Sequence, residues 1–249
     1  MTDILKIELA REKIEYLRNE IAKRMVLKSS NIRSEVISTI SADDIGLLFN
    51  QYDALFFDNW FKKCYKRNIK FSVSRRMTKS AGMTILPKYN EKQSQNNNEV
   101  EIRIGVDFFV QYDLVQGNKM VCGIKTQNSL EALQLVFEHE LCHVIEFIYF
   151  KKSSCKGDRF KHIAGNLFGH SESYHKLPTN RQIAVQRFGL KIGCNVSFTF
   201  KGENLSGIIC NINKRATVLV RSKSGPFVDN KGNRYMKYYV PLTLITREN

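Results

Sequence analysis

Five consecutive residues, His139-Glu140-Leu141-Cys142-His143, constrain this chain more than any others. They sit in a run whose apolar positions, Leu130, Leu133, Val136, Phe137, Leu141, Val144 and Phe147, repeat at helical spacing, with Ser129 standing where a helix would be capped. On a helix, His139 and His143 lie one turn apart on one face, so two imidazole nitrogens can reach a single metal ion. Glu140 lies beside them, suited to take a proton from water and pass it to a leaving amine. His-Glu-x-x-His on a helix is the arrangement of zinc peptidases, and Zn²⁺ is the cofactor it calls for.

A hydrolytic zinc needs a third protein ligand and an open position. All five histidines of the chain fall between residues 139 and 175, so the downstream donors are Cys155, His162, His170 and His175. Glu146 follows His143 by three residues on roughly the same face and would crowd a tetrahedron. It is better suited to supporting one of the histidines through a hydrogen bond.

Composition narrows the setting. The chain has 249 residues, 43% of them hydrophobic, enough for a large domain with an appendage. No apolar run approaches the ~20 residues of a membrane span, and the start lacks a secretory pattern. Six cysteines without paired spacing, one of them inside the His-Glu-x-x-His run, point to a reduced, intracellular compartment. A formal charge of +15 calls for a polyanionic partner, nucleic acid first.

Along the chain, residues 4–26 read as a charged amphipathic helix with Ile7, Ile14, Leu17 and Ile21 on one face. Residues 1–40 thus form an N-terminal helix and linker. Ser41 and Asp44 form a near capping box for a helix carrying Leu48, Tyr52, Leu55, Phe56 and Trp60. Residues 69–74, 83–86 and 100–105 alternate as strands, and the polar stretch 88–99 reads as an exposed loop. After residue 185 come four or five short strands separated by Gly- and Asn-containing turns, the pattern of a small antiparallel barrel. The predicted architecture is α+β: helices on a small mixed sheet over residues 41–185, then an all-β module over 186–249.

Several segments together resemble the SprT-like metalloproteases, which include the Spartan proteases that cut proteins crosslinked to DNA. The resemblance covers most of residues 41–180. It is carried by Leu48-Phe49-x-x-Tyr52-x-x-x-Phe56-Phe57, Arg75 to Thr84, Val100 to Ile104, the His139–His143 motif, and Gly157-x-x-Phe160-Lys161-x-Ile163-Ala164 followed by Phe168-Gly169-His170. It implies a zincin-like fold, zinc, and proteolysis of proteins associated with DNA or other nucleic acid. The chain departs from the family at the third ligand, usually the histidine directly before that glycine. Here the position is Lys156. A protonated lysine cannot coordinate zinc, whereas Cys155 would serve if the loop shifted by one residue.

Lys151, Lys152, Lys156, Arg159 and Lys161 flank the motif and suit a phosphate backbone as well as they suit solvent. From Lys191 to Arg247, ten Lys and Arg, Lys214 and Arg215 among them, face only Glu203, Asp229 and Glu248, with aromatics interleaved. The segment Gly207 to Val218 resembles SH3-like or KOW-like barrels, which bind nucleic acid or protein. The sequence therefore predicts an intracellular, zinc-dependent SprT-like metalloprotease with an accessory nucleic-acid-binding barrel and no membrane partner. A non-catalytic nucleic-acid-binding protein on a decayed protease scaffold is the competing reading, and Lys156 is what favours it.

Overall fold

The structure is a computed structural model that describes residues 4–65, 68–87 and 99–248. Most of the predicted loop at 88–99 lies outside the described residues. The chain divides into two compact units. One comprises the described residues up to Asp113 together with Gly117–Leu177; the other comprises Leu114–Gln116 and the residues from Pro178 onward.

The first unit begins with a 3-10 turn at Ile4–Lys6 and the helix α1, Arg11–Lys28. The predicted helix over 4–26 thus starts late. The backbone N–H of Leu9 is given to the carbonyl of Asn166, so this segment is held extended against another element. Ile14, Leu17, Ile21 and Met25 form the buried face of α1. Next, α2 (Ala42–Phe56) opens with the capping box expected of Ser41 and Asp44, both reciprocal bonds being present. The helical run breaks where Asp58 and Asn59 take positive φ, and a short α3 (Trp60–Cys64) follows. The Asp53 carboxylate accepts from the N–H groups of Phe61 and Lys62 and so caps α3.

Strands β1 (Ile69–Ser74), β2 (Gly82–Ile85) and β3 (Val100–Gly105) form a mixed sheet in the order β1-β3-β2. β1 runs parallel to β3, and β2 runs antiparallel to it. Central β3 alternates as its sequence does. Val100, Ile102 and Ile104 are buried, while Glu101 and Arg103 pair on the opposite face. A short helix α4 (Val106–Val110) and a hairpin, β4 (Lys119–Val121) with β5 (Ile124–Thr126), lead to the long helix α5, Ser129–Phe150.

Its N-cap is Asn128, whose side chain accepts from the Glu131 N–H; Ser129 is the first helical residue. The Ser129 hydroxyl instead accepts from the Ile37 N–H. Nearly all of α5 is buried, on its polar side as well as its apolar one. It packs against β2, β3 and the helix α6, Asp158–Phe168.

Burial on every side obliges the polar residues of α5 to find partners. Gln134 donates to the Arg18 carbonyl. Glu138, with no exposed side-chain surface, accepts from the Arg18 guanidinium at 2.6 and 2.7 Å, from the Tyr52 hydroxyl at 2.7 Å and from the His170 ring at 2.8 Å. Burial pushes the Glu138 carboxyl up. The charge of Arg18 and the hydrogen bonds from His170 and Arg18 outweigh it and hold the group below its ordinary value.

The second unit contains α7 (Asn180–Phe188), capped by Thr179, and strands β6 (Asn195–Phe200), β7 (Glu203–Ile212), β8 (Arg215–Arg221), β9 (Phe227–Val228), β10 (Arg234–Pro241) and β11 (Thr246–Arg247). These six strands make one antiparallel sheet in the order β11-β6-β7-β8-β10-β9. Its core joins Ala184 of α7 to Val196, Phe198, Ile209, Ala216, Val218 and Val240. The sequence-based boundary at 185 falls inside α7, whereas compactness groups the whole helix with the sheet. Among the described residues no cysteine is bonded to another, and no helix is long and apolar enough to cross a membrane.

Arg18→Met strips Glu138 of its cation and should cost about 3–5 kcal/mol in urea-induced unfolding, because a buried charge is left uncompensated. Arg11→Ala, which removes an exposed pair on the same helix, should change stability by no more than about 0.5 kcal/mol.

Candidate metal centre

The described structure separates the five histidines into three fates. His162 is exposed on α6, and His170 is buried in the pair with Glu138. The rings of His139, His143 and His175 gather: the His139 centroid lies 4.9 Å from that of His143 and 4.4 Å from that of His175. Phe160 of α6 packs against both helix histidines, at 4.7 and 4.5 Å.

Two sets of possible ligands overlap at His139. His139, His143 and Cys155 bring one ligating atom each within 4.8 Å of one another, and so do Cys122, His139 and His175. Cys155 reaches the first set because of how its loop lies. Along residues 153–157 the chain alternates, with Ser153, Cys155 and Gly157 half-buried and Ser154 and Lys156 exposed. Lys156 therefore points to solvent, and the residue before it turns toward the histidines. Cys122 is the poorer donor. Burial, with the Glu138 and Glu140 carboxylates nearby, pushes its thiol up and keeps it protonated.

The hydrogen bonding of the imidazoles is compatible with a metal. His143 Nδ1 lies 2.7 Å from the Ser153 hydroxyl, which donates its own hydrogen to Glu146 at 2.6 Å. Ser153 must then accept from Nδ1–H, which leaves Nε2 of His143 bare for coordination. Glu146 also accepts from the Ser154 N–H and pairs with Arg159 at 3.5 Å. It supports His143 through Ser153, an indirect form of the role its spacing suggested. The buried nitrogens His139 Nδ1 and His175 Nε2 have no hydrogen-bond partner among the described residues. Unpaired buried nitrogens carry a cost that a metal or a bridging group would remove.

Burial lowers His139 to about 2, helped by the neighbouring imidazoles, and lowers His143 and His175 to about 4. All three are neutral, the form that binds metal, at any pH near neutrality.

Glu140 is fully shielded, and burial lifts its carboxyl to about 7 against the opposing hydrogen bonds from Thr84. The Thr84 hydroxyl on β2 lies 2.7 Å from Oε2 and 3.1 Å from the Glu140 carbonyl. Two residues earlier on the same strand face, Gly82 leaves room for the carboxylate. A Cβ there would stand 2.5 Å from Glu140 Oε1 and 2.8 Å from Val136. Sequence reading missed Thr84, Gly82 and Ser153. A glycine and a small hydroxyl residue two apart on a strand were visible in the sequence, but their partner, 56 residues away, was not.

The basic residues beside the motif are partly engaged. Arg159 also lies over the Phe150 ring, Lys161 pairs with Asp158 at 3.5 Å, and Lys151 donates to the Ile148 carbonyl; Lys152 and Lys156 are exposed.

The SprT-like family model matches residues 45–182, more than half of the chain. The chain belongs to the SprT-like family. The match spans the helix α2, the mixed sheet, the His139–His143 motif and α6. No curated protein and no solved structure matched the chain.

The titrations of this SprT-like centre have opposite signs. A lowered imidazole pKa means that the unfolded chain binds more protons, so stability rises with pH from about 4 to the ordinary 6.5. Glu140, raised from 4.5 to about 7, makes the folded chain bind more, so its contribution is full below 4.5 and lost as pH rises through 7. Metal-free Glu140→Gln should therefore gain on the parent between pH 4.5 and 7, by at most about 3 kcal/mol, in denaturant titrations with chelator.

Proposed function

We propose that the chain is a zinc-dependent metalloendopeptidase on a zincin-like scaffold, acting on proteins associated with nucleic acid. One observation carries the reading: a buried carboxylate, Glu140, is clamped by Thr84 at the position next to His139, which itself belongs to a cluster of neutral imidazoles and a thiol. A purely structural metal site has no use for such a group. His139, His143 and Cys155 would hold the ion, a set of three that leaves a position open. Bound there, zinc supplies a Lewis acid for the scissile carbonyl and lowers the pKa of water. Glu140 takes the proton of the attacking water and returns it to the leaving amine. Its carboxyl, lifted to about 7, is suited to both transfers. Thr84 fixes Oε2 so that the carboxylate does not swing, and Ser153 with Glu146 fixes the tautomer of His143.

The competing reading, a decayed scaffold that only binds nucleic acid, drew on the loss of the family's histidine at Lys156. The inward turn of Cys155 supplies a donor in its place and favours the enzyme.

The second unit, read as a small SH3-like or KOW-like barrel, would be the accessory module. Its Lys and Arg, with Lys214 and Arg215 at the β7–β8 turn, support a nucleic-acid partner, and the cluster Lys151, Lys152, Lys156, Arg159 and Lys161 suits phosphates beside the motif. The cysteine usage supports an intracellular setting.

Glu140→Gln should lower proteolysis about 10²–10⁴-fold while retaining the zinc of the parent, measured by cleavage of a nucleic-acid-bound protein and by metal analysis. Undiminished cleavage would remove Glu140 from the chemistry. In zinc titrations against a chelating indicator, Cys155→Ala should weaken binding at least about tenfold, and Lys156→Ala or Lys156→His should leave it near that of the parent.

A further inference from the structure

The register of the second unit gathers side chains that the sequence leaves scattered. Paired positions on neighbouring strands project to one side of a sheet, and alternate residues to the other. Ala216, Val218 and Val240 point inward and are buried. The opposite face carries Tyr239 across from Thr217, Lys237 across from Leu219, and Tyr235 across from both Arg221 and Phe227. Arg215 stands across from Pro241 at the end of the same row. Tyr239 is 66% exposed and Phe227 is 41% exposed, with the Lys237 ammonium 3.6 Å from the Phe227 ring centroid. No Asp or Glu occupies this face on β8, β9 or β10. Asp229, which reaches the Tyr235 hydroxyl from the neighbouring turn, is itself held by the N–H groups of Lys231 and Asn233 and by the Asn233 amide.

We infer that this face of β8, β9 and β10 is a binding platform for single-stranded nucleic acid. The inference rests on the nucleic-acid reading above and gives it a surface and a strandedness. Exposed aromatic rings on one face of a sheet offer stacking surfaces, and only unpaired bases have free faces to stack on them. Cations between the rings meet the phosphates, which lie along the same strand at regular intervals. Lys237 places its charge beside the rings, over the face of Phe227, and leaves Tyr239 as the most exposed stacking surface. Charge decides against an ordinary protein partner. From residue 178 to the end, twelve Lys and Arg stand against three Asp and Glu. A protein would have to bring an acidic surface and also cover exposed aromatics, whereas a single strand does both with its repeating unit.

The test uses the full chain and fluorescence anisotropy of a labelled single-stranded pyrimidine oligonucleotide, with the matching duplex as competitor, over a series of KCl concentrations. The parent should prefer the single strand. Tyr239→Ala should weaken binding about tenfold with an unchanged salt slope, because it removes stacking and no charge. Lys237→Ala and Arg221→Ala should each lower the slope of log K against log salt by about 0.7. Tyr239, Lys237 and Arg221 are exposed, and a thermal melt of each variant verifies its fold. If the parent binds the oligonucleotide but these variants bind it equally well, the platform lies elsewhere while the nucleic-acid reading stands. A parent that binds the duplex as tightly as the single strand overturns the strandedness. Should the parent bind neither, both the platform and the nucleic-acid reading are wrong.

Discussion

A helix buried on all sides can keep a polar side chain only by giving it a partner, and α5 keeps four carboxylates. Each of them recruits a different part of the first unit. Glu131 helps to close the helix start by accepting from the Gln127 N–H, and Glu138 draws in α1, α2 and the segment after α6. Glu140 is answered by β2, and Glu146 by the loop that follows α5. The apolar core supplies most of the driving force, through contacts that are individually weak and non-directional. The hydrogen bonds to the carboxylates are directional. They add a fixed direction to the packing of α5, the helix that carries His139 and His143.

Neighbouring carboxylates of α5 consequently do different work. Glu138 is ionised and locked, with a full set of donors. Glu140, two positions on, has one hydroxyl for support and a carboxyl poised near neutrality. Surroundings produce the contrast: a guanidinium for one, a glycine and a threonine for the other. The imidazoles complete the division, held neutral by burial and so available to a metal.

Much of this was legible before any coordinates. The capping box at Ser41, the strands at 69–74 and 100–105 and the His139–His143 helix all follow from local spacing. Local spacing also misled, as when apolar periodicity carried the first helix back to residue 4, where an unseen contact with Asn166 holds the backbone extended. The choice between Cys155 and Lys156 as a candidate metal donor shows the limit most clearly. Lys156 stands where the resemblance to the family led us to expect a histidine, and the sequence does not say which way its side chain points. That depends on a loop whose path is fixed by Glu146 binding Ser153 and Ser154. Thr84 and Gly82 were hidden for a similar reason, since their importance comes from a helix packed across them. In the second unit the strands were readable but their pairing was not, so aromatic and basic residues on one face looked merely interspersed.

The segment matched by the family model starts at residue 45, well after Arg18 on α1. The recognisable domain and the folding unit therefore have different borders. Cut at its family limits, the chain would bury Glu138 without its guanidinium, beside His139. A relative without a counterpart of α1 would need some other cation there, or an uncharged residue at the position of Glu138. Inheritance of the motif thus carries a hidden dependency on a helix lying more than a hundred residues upstream.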